Sequence, residues 1–178
     1  MMVVKNNYHW LSDKSKAGFI ANGDIVEILR VRKTEELYGF KFASAEVRLI
    51  DYPDEQPFEV KLMLDAIMVE TTSIPRAELK KLYHEIEKEY VEEYPGRRDR
   101  MEKVLKDPYF NALQVKFSYA VTCHKSQGGQ WDTVFIDQGY LTKEMVDTEY
   151  LRWLYTAFTR AKTKLYLANF NSMFFEQN

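Results

Sequence analysis

The residues best equipped for chemistry lie in one short stretch, Thr122-Cys-His-Lys-Ser-Gln-Gly-Gly-Gln130. Lys125, Ser126 and Gln127 are hydrogen-bond donors, and Gly128 and Gly129 allow the backbone to come close to a ligand. If the stretch opens into a helix, its free backbone N–H groups and the positive dipole end suit a phosphate. The spacing therefore points to an anion or phosphodiester site at residues 122–130. An ordinary strand-to-helix turn with solvated side chains fits the same residues, and the loop alone does not separate the two. A structural zinc site is disfavoured. Cys123 is the single cysteine, and His9, His84 and His124 are dispersed, so a structural zinc site lacks ligands.

The elements that must position this loop are legible around it. Leu113, Val115, Phe117, Tyr119 and Val121 alternate with more polar residues, which predicts a strand ending at Thr122. Thr133–Asp137 and Lys164–Ala168 are two further short apolar runs. Between them Leu151, Leu154, Tyr155 and Phe158 fall on one helical face. Strand, polar turn, strand, helix, strand is the layout of a parallel α/β sheet, in which ligands bind beyond the carboxyl ends of the strands.

The remainder of the chain reads as three further regions. Residues 1–16 give a leading strand and a linker, the loop-like Ser12–Lys16. Residues 17–75 hold strand-like runs at Ile25–Val31, Tyr38–Phe42, Glu46–Ile50 and Phe58–Met63, with Asn22-Gly23-Asp24 as a tight turn, and so predict a small antiparallel barrel or sheet. Residues 76–106 predict a helical arm: Leu79, Leu82, Tyr83, Ile86 and Tyr90 have helical spacing behind Pro75, an i,i+4 pair joins Lys81 to Glu85, and a second helix runs from Arg97 to Leu105. The cluster Arg97, Arg98 and Arg100 could meet a nucleic-acid backbone, but a solvated charged face explains it more simply. Residues 107–178 return to the α/β pattern.

Composition narrows the function classes. A 46% hydrophobic content supports a packed core, and no run of 18 apolar residues offers a membrane span. The first ten residues lack a secretory core, and the single cysteine fits a reducing, cytoplasmic setting. Residues 17–75 carry 6 basic against 11 acidic side chains, and no region is a strongly basic block. Any nucleic-acid contact must therefore come from a local groove.

Two strings carry a family resemblance. Ala120-Val-Thr-Cys-His-Lys-Ser-Gln-Gly-Gly-Gln-Trp131 resembles motif V of superfamily 1 helicases of the RecD-like and UvrD-like kind, and Tyr155-Thr-Ala-Phe-Thr-Arg-Ala161 resembles motif VI of the same enzymes. Asn7-Tyr8 and the Asn22–Asp24 turn resemble the segments leading to a Src-homology-3-like barrel inserted in the second RecA-like domain. The fold implied is α/β: a partial RecA-like parallel sheet with helices, an inserted small antiparallel β-barrel and a helical arm.

That resemblance implies an ATP-dependent DNA helicase. Arg160 is then the catalytic arginine that reaches the γ-phosphate, with Gly128 and Gln130 also near the nucleotide. Gln130 stands where many relatives have a glutamate, which leaves its ribose contact open. Thr122, His124, Lys125, Ser126 and Gln127 would contact single-stranded DNA. ATP and Mg²⁺ are the implied substrate and cofactor. The phosphate loop GxxxxGKS/T does not occur in the sequence, nor does a strand ending in a metal-holding acidic pair. The chain therefore reads as the C-terminal portion of a longer helicase, whose N-terminal RecA-like motor domain is a partner. Alone, it is expected to bind no nucleotide tightly and to hydrolyse none. Translocation 5′→3′ follows only by analogy with RecD-like enzymes. The alternative is a non-catalytic, helicase-derived nucleic-acid-binding or protein-interaction module.

Overall fold

A computed structural model describes residues 1–12 and 15–175. Of the loop read at Ser12–Lys16, Asp13 and Lys14 lie outside the described residues. The chain divides into two compact units, Met1–Tyr119 and Ala120–Asn178.

The first unit is built on five strands: β1 (Met2–Val3), β2 (Val26–Leu37), β3 (Phe40–Leu49), β4 (Phe58–Met63) and β5 (Leu113–Lys116). Their order in the sheet is β1-β5-β4-β3-β2. Only β4 and β5 run parallel. Parallel neighbours cannot be joined by a hairpin and need a long crossover. That crossover is supplied by α1 (Asp65–Met68), α2 (Arg76–Glu89) and α3 (Arg97–Lys106), the last two covering the expected helical arm. The arm packs onto the sheet, with Leu82, Ile86 and Val104 fully buried against Phe42 and Met63. The expected pair Lys81–Glu85 does not form; Lys81 bridges to Glu78 and Lys88 to Glu85, each one turn away at i,i+3.

The small antiparallel barrel expected over residues 17–75 is an open, mixed sheet instead. An isolated bridge between Met2 and Ile25, with Val26 N–H donating to Met1 O at 2.8 Å, ties β1 to the approach of β2, yet the sheet is not closed. The reason is local. β1 and β5, from outside the expected barrel, join the same sheet, and β2 is left as a charged edge. Arg32 there meets Glu59 at 2.9 Å and Arg48 meets Glu27 at 2.5 Å. Exposed pairs of this kind add little stability, but they blunt an edge against stray pairing.

Two positions required special backbone. Tyr38 (φ 57°) and Gly39 (φ 75°) form the two-residue turn between β2 and β3. Positive φ at both central residues is what lets a tight hairpin follow the strand twist, so the strand start expected at Tyr38 is a turn. The Asn22-Gly23-Asp24 turn forms as expected: Gly23 takes φ 109°, and the Asp24 carboxylate accepts from Ala21 N–H at 2.8 Å.

Across the sheet, side chains alternate between two cores. Ala45, Val47, Leu49, Val60 and Val115 point to one, and Phe40, Phe42 and Met63 to the other. A polar knot lies on β2–β4. Lys61 donates to Glu35 and, at 2.9 Å, to Ser44 Oγ; Lys33 donates to Glu35 at 2.6 Å; Tyr109 OH donates to Glu35 at 3.1 Å. The Lys33 and Lys61 bonds pull the Glu35 carboxyl down to about 2 from an ordinary 4.5. A carboxyl depressed in the fold contributes stability above its unfolded value and loses it as pH falls through the folded one. Glu35→Gln is therefore expected to cost about 1–3 kcal/mol at neutral pH, since Lys61 keeps its charge without its carboxylate. Urea midpoints measured from pH 6 to pH 2 should fall less steeply for the variant than for the unaltered chain.

The second unit holds β6 (Trp131–Asp137), α4 (Thr148–Phe158) and β7 (Ala161–Ala168). β6 and β7 pair in parallel, with α4 as the crossover. Asp147 caps α4, its carboxylate accepting from Tyr150 N–H at 2.8 Å. The strand expected to end at Thr122 stops at Lys116 and pairs with β1 and β4, not with β6. Phe117, Tyr119 and Val121 continue its alternation but are exposed. On the apolar face expected of α4, Leu151 is 55% and Tyr155 72% exposed and Leu154 and Phe158 are half-buried, while Ala157 is the buried residue of the helix. Among the described residues no helix is long and apolar enough to cross a membrane.

Candidate functional site: the 122–130 loop, Arg160 and the adjoining cleft

The loop folds into one tight turn. Residues Cys123–Ser126 form a 3₁₀ helix with Thr122 at its cap, and Lys125 and Ser126 N–H groups donate back to Thr122 O at 2.9 and 3.1 Å. Ser126 is buried, and its hydroxyl donates to Cys123 O at 2.6 Å. Its side chain thus holds the turn together from inside. Thr122, His124, Lys125 and Gln127 are exposed.

The backbone requires a glycine at 128, and the one at 129 lies close against a side chain. Gly128 sits at φ 87°, a conformation that side chains disfavour. A Cβ on Gly129 would lie 2.5 Å from the Trp131 indole. The close approach that Gly129 permits is to this ring.

Arg160 follows α4 and immediately precedes β7. Its Nε donates to Thr156 O at 3.0 Å, one terminal nitrogen to Gly129 O at 2.9 Å, and the other to Thr159 Oγ1 at 3.0 Å. Gln130 Nε2 donates to Thr159 O at 3.1 Å, and Trp131 N–H to Arg160 O at 2.9 Å. The far end of the loop and the end of α4 are thereby locked together beside the first residues of β6 and β7. Arg160 thus lies at the amino rim of this strand pair. A guanidinium has five N–H donors, so two remain for an incoming anion.

At the other end of α4 is an open cleft of about 580 Å³. His124 and Gln127 of the loop line it, together with Tyr140, Tyr150, Arg152 and Trp153. Gln138 braces it from the end of β6, donating to Tyr150 OH and accepting from Asn171 N–H at 2.7 Å. The 138–145 loop has no periodicity that would mark this wall; the i,i+3 pair Tyr150 and Trp153 was the one available signal.

Cys123 donates from Sγ to Trp153 O at 3.4 Å, and burial pushes its thiol up despite the opposing effect of Arg160. A raised thiol holds little thiolate and is a poor nucleophile. Among the described residues no three His, Cys, Asp or Glu side chains gather to hold a metal ion. Of the residues singled out from the sequence, Arg160, Gly129 and Gln130 meet around one set of hydrogen bonds, and His124 and Gln127 share the cleft. Arg97, Arg98 and Arg100 belong to the first unit. There Arg100 is spent on the carbonyls of Tyr94 and Pro95, at 3.1 and 2.7 Å.

No curated protein matches the chain. Residues 117–168, which contain the whole loop, β6, α4, Arg160 and β7, match the UvrD-like helicase C-terminal domain family, and this part of the chain is helicase-like.

Proposed function

We propose that residues 120–178 are the C-terminal part of the second motor domain of an ATP-dependent DNA helicase of the RecD-like branch. The observation that carries this reading is the bond from Arg160 to Gly129 O, which couples the end of α4 to the 122–130 loop. ATP would be cradled by the phosphate loop of the N-terminal motor domain, which would also hold Mg²⁺; the metal would neutralise charge on the phosphates. In this chain the two remaining guanidinium donors of Arg160 would bind oxygens of the transferred phosphoryl group. Gln130 would stay beside Thr159, and Gly128 would set the turn. Single-stranded DNA would lie along Thr122, His124, Lys125 and Gln127, with Ser126 holding the turn that presents them. A movement of Arg160 toward phosphate would then pull on the DNA-facing loop through Gly129.

The uncovered apolar side chains of the second unit, such as Phe135 at 73% exposed, support a partner domain packed there. The internal bonds of Arg160 would equally suit a static module that binds nucleic acid without turnover.

The direct test is salt dependence of binding to a short single-stranded oligonucleotide. Lys125→Ala is expected to reduce the slope of log affinity against log salt by about 0.7, one phosphate's worth on a single strand. An unchanged slope sinks the phosphate contact.

A further inference from the structure

We infer that the cleft between the 122–130 loop, the 138–145 loop and α4 takes an unstacked base of the single strand. The inference rests on the DNA-facing reading of the loop and adds to it what is held beside the backbone. Four observations converge. First, three aromatic rings form a ladder: Phe174 and Tyr150 have centroids 5.7 Å apart, as do Tyr150 and Trp153, and Trp153 ends the ladder in the cleft wall. Second, Tyr140 of the 138–145 loop lines the cleft with 86% of its surface exposed, so its ring is open to a stacking partner. A base is a flat body that stacks on such rings whatever its sequence. Third, among the described residues the side chains of His124, Gln127 and Arg152 have no hydrogen-bond or ion-pair partner, although all three line the cleft. Together they offer an amide, an imidazole and a cation to the edge of a base and its phosphate. Fourth, Glu149 also lines the cleft. A carboxylate repels phosphate but accepts from the exocyclic amine of a base, as it does from cytosine N4. The occupant near Glu149 is thus the base, and the phosphate lies toward His124 and Arg152.

The cleft adjoins the loop that carries the proposed phosphate contacts, so one nucleotide can span both. The test compares binding of the chain to an oligodeoxycytidine and to an abasic strand of equal length. The base-bearing strand is expected to bind on the order of tenfold more tightly. Tyr140→Ala should erase most of that preference, and Tyr140→Phe should keep it. Because Tyr140 is so exposed, neither change threatens the fold. Equal affinity for the two strands, with a normal salt slope, overturns the base site and leaves the phosphate reading intact. A base preference that survives Tyr140→Ala places base recognition elsewhere and also overturns it. Failure to bind either strand overturns both.

Discussion

On the proposed function, Arg160→Ala is expected to lower DNA-stimulated ATP turnover by roughly 10³–10⁵-fold when the chain acts with a motor domain that carries a phosphate loop. The expectation rests on the two guanidinium donors that remain after the bonds to Thr156, Gly129 and Thr159. The same three bonds complicate a simple reading of the variant. Alanine strands three acceptors and unhooks the loop from α4, so a loss of activity could follow from local disorder. Arg160→Lys separates the effects: a point charge remains, but the fork that holds Gly129 and a phosphoryl oxygen together does not. If phosphoryl stabilisation is the role, both variants lose most of kcat while the thermal midpoint of the chain shifts by only a few degrees. Retained turnover in Arg160→Ala would remove the arginine from the reaction.

The largest stability effect is expected in the first unit. Phe42 is fully buried and its ring meets Tyr109 edge-on at 5.1 Å. It is also the residue on which the α2–α3 crossover rests, in the core with Leu82, Ile86 and Val104. Phe42→Ala removes a ring from a site walled by sheet and helices that cannot close on the void, and should cost about 3–5 kcal/mol. Domains of this size hold roughly 5–15 kcal/mol in all, so the variant sits near the folding threshold. Phe42→Leu keeps most of the volume and should recover more than half of the loss. Urea titration followed by circular dichroism reads both. A loss below 1 kcal/mol for alanine would mean that the crossover does not depend on this face.

How much of this was visible in the sequence varied with the source of the signal. The helix α2 was legible because its apolar spacing follows directly on Pro75, which stands at its N-terminal cap. The parallel pair β6–β7 was legible from two short apolar runs flanking a helical pattern. Where a pattern outran its partners, it misled. Phe117, Tyr119 and Val121 keep strand alternation, yet the ladder stops at Lys116 because no neighbouring strand reaches them. Leu151 and Tyr155 lie on an apolar helical stripe that nothing described covers. The open sheet in place of a barrel has a similar origin: strand runs announce themselves, but which edge they join is decided by segments far away in the chain, here β1 and β5. At the candidate site, loop and arginine were separately readable. Their bond through Gly129 O was not, since a backbone carbonyl leaves no mark on a sequence. The cleft was missed because its walls come from an aperiodic loop and from the side of α4 not read as its apolar face.

The two-stranded parallel sheet has a practical corollary. Parallel strands are ordinarily sheltered on both faces, but here Phe135 and Tyr166 stack on each other 4.7 Å apart with 73% and 47% of their surfaces in water, and each strand has one unpaired edge. Such a surface recruits further strands from identical molecules. Lys162 and Lys164, both on β7, are the gatekeepers that oppose this. Concentrated preparations of the chain would therefore tend to self-associate at low net charge, near its isoelectric point of about 6.0, and stay dispersed where those lysines dominate.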